Sequence, residues 1–89
     1  MNKESLLLDL RELPGPVRHQ LVFKAWEYLA FDGSFTIRND HDPVPLRRQL
    51  ERAAAGKLTW EYLNKEPGSF QVRIGKGAVE SKSFTSGRA

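Results

Sequence analysis

No cysteine occurs anywhere in the 89 residues. That absence excludes a disulfide framework, a thiolate metal site and a cysteine nucleophile together. Long hydrophobic runs are missing as well. Stretches such as Leu6-Leu7-Leu8 fall far short of the roughly 20 apolar residues that a membrane helix needs. Met1-Asn2-Lys3-Glu4 is followed by no signal-peptide core, so the expected location is the cytoplasm. Histidine is scarce, with two in the chain, His19 and His41.

An excess of one charge sign is nearly absent too. The isoelectric point near 9.5 suggests a nucleic-acid partner at first sight. Yet residues 1–75 hold 11 basic and 10 acidic groups, and Lys76, Lys82 and Arg88 oppose only Glu80 beyond them. Much of the net +3 therefore belongs to the end of the chain, and net charge alone argues for no polyanion.

What is present reads as one small domain, since 89 residues leave room for a single core. Leu6, Leu8 and Leu10 alternate onto one face of a first strand over 6–10. Pro14-Gly15-Pro16 ends it and opens a helix running to about Ala30, because proline suits the first helical turn. Val17, Leu21, Val22, Ala25, Trp26 and Leu29 supply its apolar stripe at three- and four-residue spacing. Asp32-Gly33 signals a turn, and Ser34 to Arg38 a strand with Phe35 and Ile37 inward.

Asn39-Asp40-His41-Asp42 is a polar loop. Asp42 is expected to cap a second helix, from Pro43 to about Ala55, that buries Leu46, Leu50 and Ala53 or Ala54 and stops at Gly56. Leu58, Trp60 and Tyr62 alternate in a third strand, residues 64–69 form a hairpin loop, and Phe70, Val72 and Ile74 alternate in a fourth. The fold class expected is an α+β two-layer sandwich of order β-α-β-α-β-β, with two helices on one face of a four-stranded mixed sheet. Its domain spans residues 1–75, followed by a disordered basic tail over 76–89 that is rich in Gly, Ser and Lys.

In a right-handed β-α-β unit the loops after the first two strands leave the same sheet edge. Arg18 and His19 then lie beside Asp40, His41 and Asp42, and these five are the candidate ligand-binding residues. Three readings compete for them. His19, His41 and Asp40 are candidate ligands of a divalent metal, although their spacing matches no established motif. Alternatively Arg18, His19 and the helix start hold an anionic small molecule. The plain structural reading has the same groups fixing the loop by local hydrogen bonds. A His–Asp pair also allows general acid–base catalysis, but no serine or cysteine nucleophile stands nearby and no catalytic residue is assigned.

Arg47, Arg48 and Arg52 on the second helix are candidate phosphate contacts for RNA, offset by an ordinary i,i+4 pairing of Arg47 with Glu51. Trp26 and Trp60 sit on apolar stripes and are expected in the core rather than as stacking platforms. Arg11, close to Asp9 and Glu12, receives no role.

Several segments together resemble a known bacterial family: Leu8-Asp9-Leu10-Arg11-Glu12-Leu13-Pro14-Gly15-Pro16, Arg18-His19, Asn39-Asp40-His41-Asp42-Pro43-Val44-Pro45-Leu46, Trp60-Glu61-Tyr62 and Val72-Arg73-Ile74. The family is domain-of-unknown-function family 2249, and the resemblance spans about Leu7 to Lys76. It implies no activity. It does imply company, since members often accompany hemerythrin-like or metal–sulfur assembly proteins, which points to redox or metal-centre physiology. The family in turn resembles the TusA/SirA sulfur carriers, whose Cys-Pro-x-Pro motif opens the first helix and carries a persulfide. Pro14-Gly15-Pro16 keeps the Pro-x-Pro, but Leu13 stands where the thiol is expected, so sulfur transfer is rejected. The expected function is a non-enzymatic accessory or regulatory module that binds a small ligand, a metal or a partner protein where the two helices begin. A metal-dependent or His–Asp enzyme at the same edge is the alternative, and an RNA-binding module a further one.

Overall fold

Alternating leucines, β-branched residues and aromatics put four strands into one sheet of the computed structural model, which describes residues 6–77. The elements are β1 (Leu6–Asp9), α1 (Gly15–Tyr28), β2 (Ser34–Asn39), α2 (Val44–Ala54), β3 (Leu58–Glu66) and β4 (Ser69–Lys76). The strand order is β1-β2-β4-β3. β1 runs parallel to β2, while β4 lies antiparallel to both β2 and β3. Each helix thus serves a parallel crossover, and β4 is inserted between the two strands of the second one.

Cross-strand registry explains which side chains meet. Leu6 and Leu8 face Phe35 and Ile37, which face Ile74 and Val72, which face Trp60 and Tyr62. All of these point to one side. Val22 and Trp26 of α1 and Leu46, Leu50 and Ala54 of α2 close over that side to complete the core. Fully burying Phe35, Ile37, Leu50 or Ile74 stabilises the fold by roughly 1.5–3 kcal/mol each, so truncating Leu50 to alanine removes much of the margin of so small a domain. The other side is polar and laced across strands, with Arg73 donating to Glu61 at 2.9 Å and Arg38 lying 3.9 Å from Asp9. The α+β two-layer sandwich and its β-α-β-α-β-β order agree with the sequence.

Several details differ. α1 stops at Tyr28, and Leu29 is already extended (φ −71°, ψ 131°), so Leu29 packs on the core from outside the helix. α2 ends one residue early because Ala55, ahead of Gly56, takes the left-handed turn (φ 51°). β3 continues through Asn64, Lys65 and Glu66, where a loop was expected. An irregularity between Tyr62 and Asn64 absorbs Leu63, after which pairing with β4 resumes down to a turn at Pro67-Gly68. Trp60 is only half-buried, unlike Trp26.

β4 also runs past Ile74. Gly75 is buried against Thr59, and the Lys76 ammonium donates to the Trp26 and Leu29 carbonyls at 2.7 and 3.0 Å. It also lies 4.6 Å from the centre of the Trp26 ring. Lys76 thereby brings a charged donor to the carbonyls at the end of α1, of which that of Trp26 also accepts the Leu29 amide at 3.2 Å; this is the usual favourable place for a cation. Its charge belongs to the fold, not to a tail. The rest of the expected tail, residues 78–89, lies outside the described residues. Among the described residues no helix is long and apolar enough to cross a membrane.

Candidate functional site

Both helices open with Pro-x-Pro: Pro14-Gly15-Pro16 at α1 and Pro43-Val44-Pro45 at α2. Proline at the second helical position supplies the right φ and needs no N–H partner. Such a start also offers few donors. Val17 and Arg18 already donate to the Pro14 carbonyl, Val44 to that of Asp42 and Arg47 to that of Pro43. These two helix starts are therefore poor anion cradles, whatever their dipoles favour.

Arg18 fastens them together. Its Nε donates to the Leu13 carbonyl at 2.7 Å, one terminal nitrogen to Asn39 Oδ1 and Asp40 Oδ1 at 2.8 and 3.0 Å, and the other to the Arg11 carbonyl and Asp40 Oδ2 at 3.1 and 3.3 Å. A guanidinium has five N–H donors, and all five are engaged within the fold. None remains for an external anion. Asn39, only 4% exposed, completes the brace by donating from Nδ2 to the His41 carbonyl at 3.1 Å. The β3–β4 turn joins the same cluster, since the Gly68 amide donates to the Asp40 carbonyl at 3.0 Å. Three loops are thus locked at one end of the sheet.

Asp40 has a second partner. Its Oδ1 lies 2.7 Å from His41 Nδ1. The Arg18 hydrogen bonds, and then that of His41, pull the Asp40 pKa from 3.8 down to about 2. An ionised carboxylate only accepts, so His41 Nδ1 carries the hydrogen and Nε2 is the free nitrogen. The imidazole stands 68% exposed at the rim of a cleft of about 150 Å³. His19 lines the same cleft, its ring stacked on Phe23 with centroids 4.9 Å apart and planes 6° apart. Gly15, Pro43, Pro45, Leu10 and Leu46 form much of the remaining wall. Val17 and Val44, on the first turns of the two helices, are exposed.

Of the five candidate ligand-binding residues, the fold brings four to this cleft or its rim: Arg18, His19, Asp40 and His41. Asp42 goes elsewhere. It makes no side-chain cap for α2, whose cap position is Pro43; instead its Oδ1 accepts the Tyr62 hydroxyl at 2.7 Å and ties the start of α2 to β3. Among the described residues no group of three His, Asp or Glu side chains gathers to hold a metal ion. The Asp40 carboxylate, the third member of the expected metal set, is committed to Arg18 and His41. Of the candidate phosphate contacts, Arg47 pairs with Glu51 at 3.0 Å and lies 5.7 Å from the Trp60 ring centre, while Arg48 and Arg52 are exposed. Val17 is expected on the apolar stripe of the first helix but is 42% exposed, because it lies on the first turn beyond the sheet; Asn39 and Val44 carry no functional reading from sequence. The only signal for these two is position: Asn39 ends a strand at an inward register, and Val44 sits inside a Pro-x-Pro.

No curated protein and no solved structure matches the chain. The model of the family described as "Uncharacterized conserved protein (DUF2249)" matches residues 7–76, which contain every element except the first residue of β1. The braced loops, the two proline-opened helices and both histidines all fall inside that match, and the chain belongs to this family.

Proposed function

We propose that the chain is a non-enzymatic accessory module that docks a partner protein with the end of the fold where α1 and α2 begin. The observation that carries this reading is the division of labour at that end. The charged groups Arg18 and Asp40 are engaged internally, whereas the outward-facing groups are an oriented imidazole and exposed valines beside prolines. A rigid rim of apolar side chains around one hydrogen-bonding ring suits a protein surface. Small-molecule sites usually enclose about 300–1,000 Å³. A cleft of about 150 Å³ takes one inserted side chain, with the His41 ring at its rim to hydrogen-bond it.

The resemblance to family 2249 supplies the first partners to try, hemerythrin-like and metal–sulfur assembly proteins, and with them a role in redox or metal-centre physiology. The kinship with the TusA/SirA sulfur carriers is part of the same reading. It is supported by the two-layer architecture and the shared Pro-x-Pro at the start of α1, and a cysteine-free member is then a carrier scaffold kept for docking alone.

The test is binding of a hemerythrin-like protein from the same cells, by calorimetry, to the wild type and to His41→Ala and Val44→Asp. Both side chains are exposed, so the fold survives substitution. Each variant is expected to weaken binding at least tenfold, about 1.4 kcal/mol. Unchanged affinity in both variants, or no binding at all, overturns the reading. Turnover of any substrate that is lost with His41→Ala would instead make the Asp40–His41 pair an acid–base catalyst.

A further inference from the structure

We infer that β1 is a homodimerisation edge, with two copies joining β1 to β1 antiparallel about a two-fold axis through Leu7 to make one eight-stranded sheet. The inference is independent of the docking end, which lies beyond the other end of the strand.

The two edges of the sheet are built differently. β3, at one edge, carries the usual protections: an irregularity at Tyr62/Asn64, a lysine whose ammonium folds 4.6 Å over the Tyr62 ring, and neighbouring Lys57 and Glu66. β1, at the other edge, reads Leu6-Leu7-Leu8-Asp9. Its one charge is already engaged, since Arg11 holds both oxygens of Asp9 at 2.9 and 2.8 Å. Leu6 is 57% and Leu7 49% exposed. Under the strand, α1 is set back and leaves an apolar groove of about 420 Å³ lined by Leu6, Leu8, Leu21, Ala25, Tyr28 and Leu29, among others. Tyr28 is 82% exposed beside it.

Hydrogen-bond parity and side-chain matching select a second copy as the occupant. The Leu10 amide donates to Arg38 of β2 at 2.8 Å, so even-numbered residues of this strand turn their N–H and C=O inward to β2. Leu7 and Asp9 turn theirs to the free edge. An antiparallel two-fold through Leu7 makes it a hydrogen-bonded pair with its own copy, two bonds with no register conflict. The same axis sets Leu6 opposite Leu8 of the other copy on the groove side, and Leu7 opposite Leu7 on the outer side. Over Leu6–Leu8 every matched side chain is a leucine. Shifting the axis to Leu8 would set Leu7 against Asp9, so the leucine register is the one the sequence specifies. The axis is perpendicular to the sheet and keeps both helix layers on one side, so the two grooves merge into a single trough flanked by both Tyr28 rings.

The test is sedimentation equilibrium of the full chain, together with amide hydrogen exchange, from about 10 μM to about 1 mM, the span in which so short an interface associates. The wild type is expected to approach twice its 10.1 kDa mass as concentration rises. The Leu7 amide should slow by tenfold or more over the same range, while Leu8, already paired to β2, stays unchanged. Leu7→Lys places two ammonium groups opposite each other on an exposed position and is expected to hold the chain at 10.1 kDa with its circular dichroism intact. Leu63→Lys, on the opposite edge, should dimerise like the wild type. A monomer at about 1 mM, a dimer that survives Leu7→Lys, or a Leu7 amide whose exchange ignores concentration would each overturn the inference.

Discussion

Replacing Arg18 with methionine removes the brace while keeping the length and most of the packing of the side chain. The largest cost falls on Asn39, whose Oδ1 loses its donor at a residue only 4% exposed. An unpaired buried acceptor costs about 1–3 kcal/mol. The Leu13 and Arg11 carbonyls lose charged donors as well, and water replaces them in part, adding about 1 kcal/mol. The contact with Asp40 reaches solvent and contributes little in salt. The expected loss is about 2–4 kcal/mol, or a melting temperature lower by roughly 10–25 °C for a domain of this size. Urea unfolding followed by the fluorescence of Trp26, which is buried in the core, gives the free energy directly. Arg18→Lys sharpens the experiment. It keeps the positive charge but cannot reproduce a five-donor fork, so it should cost nearly as much as methionine. Wild-type stability in Arg18→Met, or full rescue by lysine, would refute the claim that the geometry of this guanidinium holds the loops.

Other consequences concern single contacts. The Asp40 carboxyl should titrate near pH 2 in the native protein, seen by carbon NMR of the side chain, and move up toward 3.8 in Arg18→Met. Because its folded pKa lies below the unfolded one, its stabilisation is complete above about pH 4 and disappears as pH falls through about 2. Tyr62→Phe and Asp42→Ala should each cost about 1 kcal/mol, and the double variant no more than either alone, because both break the same bond. A purely local helix cap would instead leave Tyr62→Phe neutral. Gly77→Ala should destabilise by about 1–2 kcal/mol in thermal melts, since φ is +90° and an added Cβ would meet the Phe31 ring. Gly15→Ala, where a Cβ meets nothing and φ is ordinary, should be neutral or stabilising by up to about 1 kcal/mol.

Much of this architecture is legible in the sequence because its signals are local. Alternation at Phe35/Ile37 and Val72/Ile74 marks the two central strands, Pro14-Gly15-Pro16 the start of the first helix, and Asp42-Pro43 the start of the second. The loop lies at 40–42 beside Arg18 and His19, because a parallel crossover leaves little choice, while Asn39, read as loop, is the buried last residue of β2. What sequence reading missed depends on distant partners. Asp42 in front of Pro43 has every local mark of a cap, yet Tyr62, twenty residues away, takes it. Asn64-Lys65-Glu66 shows no alternation, and becomes strand because β4 offers a backbone ladder across a tight turn. Lys76 sits in a Gly- and Ser-rich stretch and looks like tail, although the carbonyls at the end of α1 receive it. Leu6 was expected inward, and it does face the helix side, but α1 does not reach far enough to cover it. Charge alone marks Arg18 as a ligand contact in the sequence. Its donors turned out to be directed at Leu13, Arg11 and Asn39, and charge alone gives no direction.

The central functional claim is that partners meet the start of α1 and α2, on the rim held by Arg18. The most direct measurement is the footprint of a bound hemerythrin-like protein on the isotope-labelled chain, read from amide and imidazole NMR shifts. Gly15, Val17, His19, His41 and Val44 are expected to move together, with the His41 ring among the largest changes, and Arg18→Met is expected to disperse the footprint. A footprint confined to the β1 groove around Leu6 and Tyr28, or to the polar face carrying Glu61 and Arg73, would contradict it.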